Sequence, residues 1–183
     1  MRLIDWKTQA ETYLHVAWYA AQTDLDRKYA YNIVDRALRG ASDIISCESC
    51  SVVNNTASVI QWCVHWSHDA LDTYWIVQEQ LTEQRDGKPP THRQITQARD
   101  ENGKRWWTVE HQYPILIPKV GLLDEGWSQA YLIDWMMHYG KATIVTQPEN
   151  ARLTNHTKSM SEARGRYAAA NITVCRHPHW DDT

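Results

Sequence analysis

The sequence predicts an α+β fold, in which an N-terminal helical bundle is followed by a small module with the order strand, helix, strand, helix. Apolar residues recur at helical spacing up to about residue 84, whereas short segments rich in aromatic and β-branched residues follow residue 104. Between them, residues 85–90 (RDGKPP) are typical of a hinge. We therefore predict a helical bundle over 1–84 and an α+β module over 91–183, with one continuous domain as the alternative.

The first two helices are predicted from apolar stripes. One stripe repeats at helical spacing over residues 6–21, and a second does so over 30–38. Residues 23–26 (TDLD) are typical of a capping box that starts the second helix, and Gly40 is predicted to end that helix as its C-cap. A polar loop is predicted over 41–55.

The third helix is predicted to be the longest, because its apolar positions keep the 3.6-residue period across about six turns. Since Cys63 and Trp66 belong to this stripe, we expect them in the core. The stripe consists of Val59, Trp62, Cys63, Trp66, Ala70, Tyr74, Val77 and Leu81.

The C-terminal half changes period. A strand is predicted over 105–110, after a turn at 102–103. A Pro-bounded loop leads to a helix over 128–139, and residues 142–146 form a second predicted strand. Pro148 is typical of a first helical turn, so a short helix is predicted to follow.

Charge and aromatic content limit the partners. The net charge is −3, which argues weakly against a nucleic-acid surface. The segment 152–179 is nevertheless locally basic, with five Lys or Arg against Glu162, and this suits either a phosphate-facing surface or a solvated helix face. Ten Trp, nine Tyr and no Phe predict a core with many polar ring atoms.

The location of the protein is predicted from the N-terminus and the cysteines. The opening residues turn polar at once, and no apolar window reaches the length of a membrane span. Four Cys without a leader sequence predict reduced thiols. We therefore expect a cytoplasmic protein with no membrane partner; the viral resemblance given below would place it in a bacterial host cell.

The clearest pattern that could carry chemistry is the run 110–114 (EHQYP), followed by 148–153 (PENARL) and then His156. An acidic residue and a His end one strand, a second strand follows, and a helix carries Asn and a further His. This arrangement resembles the ββα-metal, or HNH, endonucleases over about residues 104–160. The resemblance implies a nuclease, or a nuclease-derived module that binds nucleic acid.

Specific roles follow from that resemblance. It implies that His111 is the general base and that Glu110 and His156 bind Mg²⁺ or another divalent metal ion. Asn150 would orient the base, with Asn155 as a competitor for that role. The sequence departs from the family pattern by its Glu in place of Asp and by a whole helix between the strands. A purely structural alternative has His111 simply closing a strand.

A looser resemblance extends over the C-terminal half. The Glu-His-x-x-Pro run, the strand at 144–146 and the segment 166–172 (RYAAANI) are similar to a group of uncharacterised phage and prophage proteins. This implies a viral accessory gene and no particular activity. The alternative hypothesis is therefore a non-catalytic accessory protein that binds and modulates a host or phage protein.

A structural zinc site is a second possibility. Cys47 and Cys50 form a CxxC pair, and Cys63, His65 and His68 follow within reach of a tetrahedral site. On one helix, His65 and His68 would share a face. Cys63 is equally interpreted as a core residue. Further ligands could come from the C-terminal segment, otherwise an exposed tail, through Cys175, His177 and His179.

Several familiar motifs do not occur in the sequence. It contains no GxGxxG, P-loop, GxSxG or HExxH pattern, which disfavours nucleotide-dependent and classical hydrolase functions. Tryptophans at 62, 66, 75, 106 and 107 could stack the bases of a single strand, although Trp at helical spacing is more typical of a core.

Overall fold

The computed structural model describes residues 5–49, 56–153 and 160–180. Within these residues the fold is α+β, as predicted. The helices are α1 (Trp6–Gln22), α2 (Arg27–Cys47), α3 (Thr56–Trp62), α4 (His68–Glu83), α5 (His92–Thr96), α6 (Leu116–Leu123), α7 (Gln129–Tyr139), α8 (Gln147–Arg152), α9 (Met160–Ala163) and α10 (Arg166–Ala169). A 3₁₀-helix spans Pro178–Trp180, and the strands are β1 (His65–Ser67), β2 (Trp107–His111), β3 (Ala142–Thr146) and β4 (Val174–Arg176).

Helices α1 and α2 pack side by side, and α2 is longer than predicted. Its N-cap is Asp26, which accepts a hydrogen bond from the Lys28 backbone. The prediction that Gly40 ends this helix is wrong, because Ala41 and Ile44 continue the buried stripe to Cys47. Gly40 instead allows close packing, since a Cβ there would lie 2.6 Å from Tyr13 Cε1. Helix α2 therefore includes residues 41–47 of the predicted loop over 41–55, and residues 50–55 lie outside the described part of the chain.

The predicted third helix is interrupted. Helix α3 ends at Trp62, β1 follows, and α4 starts after Ser67, whose hydroxyl accepts a hydrogen bond from the Ala70 backbone. In β1, Trp66 pairs with Ile144 of β3 and is fully buried. Apolar periodicity cannot detect this break, because Trp66 faces the core in either conformation.

The four strands form one sheet in the order β2-β3-β1-β4. Strand β3 is antiparallel to β2 and parallel to β1, and β4 is antiparallel to β1. The two predicted strands are confirmed as β2 and β3, whereas β1 and β4 were not predicted. Helix α6 occupies the segment predicted as a Pro-bounded loop.

The sheet and the main core both combine residues that precede the predicted hinge at 85–90 with residues that follow it. Strand β1, from the segment 1–84, lies between β3 and β4, which come from 91–183. The largest apolar cluster likewise joins α1 and α2 to α6 and α7. Among the described residues, no helix combines the length and apolar character needed to cross a membrane.

Candidate functional site

A cleft of about 410 Å³ lies between α2, the start of α3 and β2. It contains two of the residues singled out by the HNH-like pattern, Glu110 and His111. Helix α2 adds two charged side chains from successive turns, Arg39 and Asp43. The remaining lining residues are Thr56, Val59, Thr108 and Val109.

His111 ends β2 and is held by Ser42 on α2. The Ser42 hydroxyl donates a hydrogen bond to the Gly140 carbonyl, and its oxygen lies 3.0 Å from His111 Nδ1. The Ser42 hydroxyl has a single proton, and the bond to the Gly140 carbonyl uses it. The proton in the hydrogen bond between Ser42 and His111 therefore belongs to Nδ1. The lone pair of the neutral imidazole is then on Nε2, as a general base requires.

The environment keeps His111 neutral. Burial, together with the positive charges of Arg39 and Arg166, lowers the pKa of His111 to about 4. A neutral imidazole at physiological pH can accept a proton from a bound reactant. The predicted role of His111 as a base is therefore chemically feasible at this position.

Asp43 is a second titratable group of the cleft, and the sequence analysis did not identify it. Burial raises the pKa of Asp43 to about 7, although the charge of Arg39 acts in the opposite direction. Within the described part of the chain its carboxyl forms no hydrogen bond or ion pair, since Arg39 is bound to Asp35. A carboxyl group with a pKa near neutrality can donate or accept a proton at physiological pH.

Glu110 is engaged by a buried cation. Its carboxylate forms an ion pair with Arg166, whose side chain is 5% exposed. The same guanidinium donates hydrogen bonds to the carbonyl oxygens of His111, at 2.5 Å, and Gln112, at 3.3 Å. Arg166 thereby holds the last two residues of β2 and the residue that follows the strand. A guanidinium beside Glu110 repels a metal cation, so this carboxylate does not fit the predicted role of metal ligand.

Asn150 lies away from His111. In the β2–β3 pair, His111 is opposite Ala142, whereas Thr146, the last residue of β3, is opposite Trp107. Helix α8 begins after Thr146, at the other end of the pair, and four residues of strand span about 13 Å. The structure therefore does not place the predicted orienting residue beside the predicted base. The predicted metal ligand His156 lies outside the described residues.

The turn before Asn150 has a structural explanation. Glu149 is 1% exposed and accepts hydrogen bonds from the Thr146 backbone, the Thr146 hydroxyl and the Ser67 hydroxyl. Together with the Thr146 cap of α8, these bonds form a capping box that ties the helix to β1. This segment therefore stabilises the start of α8.

The premise of the predicted zinc site is wrong in part. His65 belongs to β1 and His68 opens α4, so the two do not share a helix face. Cys63 is buried, as the core interpretation predicts, and burial raises the pKa of its thiol to about 12. Cys50 lies outside the described residues. Within the ranges 5–49, 56–153 and 160–180, no group of three or more His, Cys, Asp or Glu side chains could hold a metal ion.

The C-terminal segment is not an exposed tail. Cys175 is in β4, and the His177 backbone donates a hydrogen bond to the Val64 carbonyl. The His177 ring is 1% exposed and packs edge-on against Trp66 and Tyr74, with centroids 4.8 and 4.5 Å apart. Pairing of β4 with β1 accounts for this burial. The sequence did not predict it, because neither three-residue strand is long enough to show a period of two.

Comparison of the chain with protein-family models, curated proteins and solved structures finds no match. A function is therefore inferred from the geometry of the cleft between α2 and β2. The resemblances to HNH endonucleases and to phage proteins stay predictions.

Proposed function

We propose that the chain is a nuclease, of the accessory kind encoded by phages, that hydrolyses phosphodiesters in the cleft between α2 and β2. The observation that carries the proposal is that one open cleft contains, beside Arg39, a neutral His111 and an Asp43 with no ion-pair partner among the described residues. The HNH-like run at 110–114 supports it independently, because it identifies the same histidine.

The two titratable groups suit opposite roles in hydrolysis. His111 Nε2 takes a proton from water as the water oxygen bonds to phosphorus, and protonated Asp43 gives its proton to the leaving oxygen as the P–O bond breaks. Arg39 supplies positive charge for the phosphate oxygens. A base with a pKa of about 4 is weak in the empty cleft. The bound phosphate raises that pKa, because its negative charge favours the imidazolium.

The predicted role of a divalent metal such as Mg²⁺ stays a prediction. Glu110 is bound to Arg166, and the second predicted ligand, His156, lies outside the described residues. The proposed proton transfers do not require a metal. Activity in the presence of EDTA would therefore separate acid–base cleavage from metal-dependent cleavage.

The test is incubation of the purified chain with plasmid, single-stranded DNA and RNA in Mg²⁺, Mn²⁺ or EDTA. We expect His111→Ala and Asp43→Asn to lower the cleavage rate by about 100-fold or more, as loss of an acid or base does. His138→Ala is the matched control, since this histidine is exposed on α7. Cleavage by His111→Ala at the wild-type rate, or no cleavage by the wild type under any condition, would contradict the proposal.

A second candidate function is the non-catalytic accessory protein that binds a host or phage protein. The surface of α1 and α2 favours it, because Tyr19 and Tyr29 are 62% and 66% exposed. Val16 and Ile33 line a shallow, mainly apolar cavity of about 310 Å³ between these helices. Exposed apolar surface of this kind often marks a protein interface.

The interface hypothesis has its own test. A protein captured by the immobilised chain is identified and purified, and its affinity is then measured by titration calorimetry. We expect the double substitution Tyr19→Glu and Tyr29→Glu to weaken that affinity by at least about tenfold, because it places charge in an apolar contact. An unchanged affinity would exclude this surface as the interface.

A further inference from the structure

A second cavity, of about 280 Å³, lies at the C-terminal end of α2. Three indole rings line it, those of Trp6, Trp62 and Trp180, together with Glu48 and Arg176. We call it the Trp cavity. Its volume is near the lower limit of small-molecule sites, about 300 Å³, so it suits a single small ring system.

The indoles of the Trp cavity come from distant parts of the chain. Trp6 starts α1, Trp62 ends α3 and Trp180 ends the 3₁₀-helix. The rings of Trp62 and Trp180 are stacked, with centroids 5.4 Å apart and planes 28° from parallel. All three side chains are partly exposed, unlike the fully buried Trp66 of the adjacent core. The fold therefore presents a group of aromatic rings to the outside.

The Trp cavity adjoins the cleft between α2 and β2 that contains His111, which we call the His111 cleft. On α2, Asp43 lines the cleft and Cys47, one turn later, lines the Trp cavity. On α3, Val59 lines the cleft and Trp62, three residues later, lines the Trp cavity. One helical turn advances about 5.4 Å, so the two cavities follow one another along the same pair of helices.

Charged groups at the rim suit a nucleotide. Arg176 forms an ion pair with Glu48 at 3.5 Å, and its side chain is 41% exposed. The Lys7 ammonium lies 5.5 Å from the centroid of the Trp6 ring. The two cations can approach a phosphate, and the Glu48 carboxylate can accept a hydrogen bond from an N–H group of a base, such as N3–H of thymine.

We propose that the Trp cavity binds a base of a single-stranded nucleic acid whose adjoining phosphate enters the His111 cleft. The inference rests on the proposed function and specifies its substrate, because a base must be unpaired to enter a cavity of this size. Aromatic rings stack on any base and so bind single strands with little sequence preference. A quaternary ammonium is another partner of aromatic cavities, but the charge of Arg176 opposes it.

The test measures binding by fluorescence anisotropy. The probes are a labelled oligo-dT of about 20 nucleotides with phosphorothioate linkages, which slow cleavage, an abasic oligomer with the same linkages, and a duplex. We expect Trp180→Ala to bind the oligo-dT about 5- to 100-fold more weakly, and Trp180→Phe to retain most of the affinity. Trp75→Ala is the control, because Trp75 is 45% exposed on α4 and is not a residue of the Trp cavity. The wild type should bind the abasic oligomer and the duplex weakly.

The outcomes are separable from those of the cleavage assay. Equal binding of oligo-dT by Trp180→Ala and the wild type, or equal binding of oligo-dT and the abasic oligomer, overturns the inference even if cleavage occurs. Competition by millimolar tetramethylammonium also overturns it, in favour of a cation. Base-dependent binding without cleavage retains the Trp cavity and rejects the nuclease. If thermal melting shows that Trp180→Ala is unfolded, Trp6→Ala replaces it, because Trp6 is not part of the Trp62–Trp180 stack.

Discussion

Replacing Asp43 with Asn should stabilise the protein, and more so as the pH rises. The pKa of Asp43 is raised from 3.8 to about 7 by burial, so the folded chain holds this proton more tightly than the unfolded chain. Between those two values the free energy of unfolding falls as the pH increases. Below pH 3.8 the carboxyl is neutral in both states, and its penalty disappears.

The size of the effect follows from the shift. One pKa unit corresponds to about 1.4 kcal/mol, so the carboxyl costs the folded state about 4 kcal/mol at pH 8 and roughly 1.6 kcal/mol at pH 5. We halve these values because Asp43 is partly exposed. The stability advantage of Asp43→Asn should therefore increase by about 1.2 kcal/mol between pH 5 and pH 8.

Urea unfolding followed by Trp fluorescence measures this difference at pH 5, 6, 7 and 8. Comparing the variant with the wild type at each pH cancels the contributions of all other titrating groups. Asp72→Asn on the exposed face of α4 is the control. An Asp43→Asn variant whose stability advantage is independent of pH, or which is less stable at pH 8, would refute the reasoning.

Two further predictions concern buried polar groups. Arg166→Gln should lower the free energy of unfolding by about 3 kcal/mol, because it leaves the partly buried Glu110 carboxylate without its cation. Urea unfolding at pH 7 checks this, and a loss below about 1 kcal/mol would contradict it. In the Asp43→Asn background, stability should fall by about 3 kcal/mol or more from pH 7 to pH 4, because the unfolded imidazoles titrate near 6.5. In the folded chain, burial lowers the pKa of His92 and His111 to about 4 and that of His177 to about 3. A flat urea midpoint over that interval would show that these rings are accessible to protons in the folded state.

The elements that the sequence predicted well have strong local signals. Helix α1 carries an uninterrupted apolar stripe, and β3 is a β-branched run that ends in a capping box. Strands β1 and β4 have three residues each, too few for a period of two to be recognised. Their conformation depends on pairing partners far away in the chain, which no local pattern contains.

The candidate site was predictable only where its residues are adjacent in sequence. Glu110 and His111 lie together at a strand end, and the HNH-like pattern identified both. Arg166 reaches Glu110 across 56 positions of sequence, so its contact depends on the whole fold. Asp43 was missed because Gly40 was expected to end α2. The helix that continues past it places Asp43 one turn beyond Arg39.

Two carboxyl groups with low exposure show how structural and functional roles separate in this fold. Glu149 accepts hydrogen bonds from three donors, so its burial stabilises the start of α8. Asp43 has no such donors in the described part of the chain, and an Asn in its place would relieve the folded state of an ionised group. Stability alone therefore disfavours Asp at this position. Asp43 destabilises the fold and lines the same open cleft as the neutral His111, and this combination is typical of a functional site.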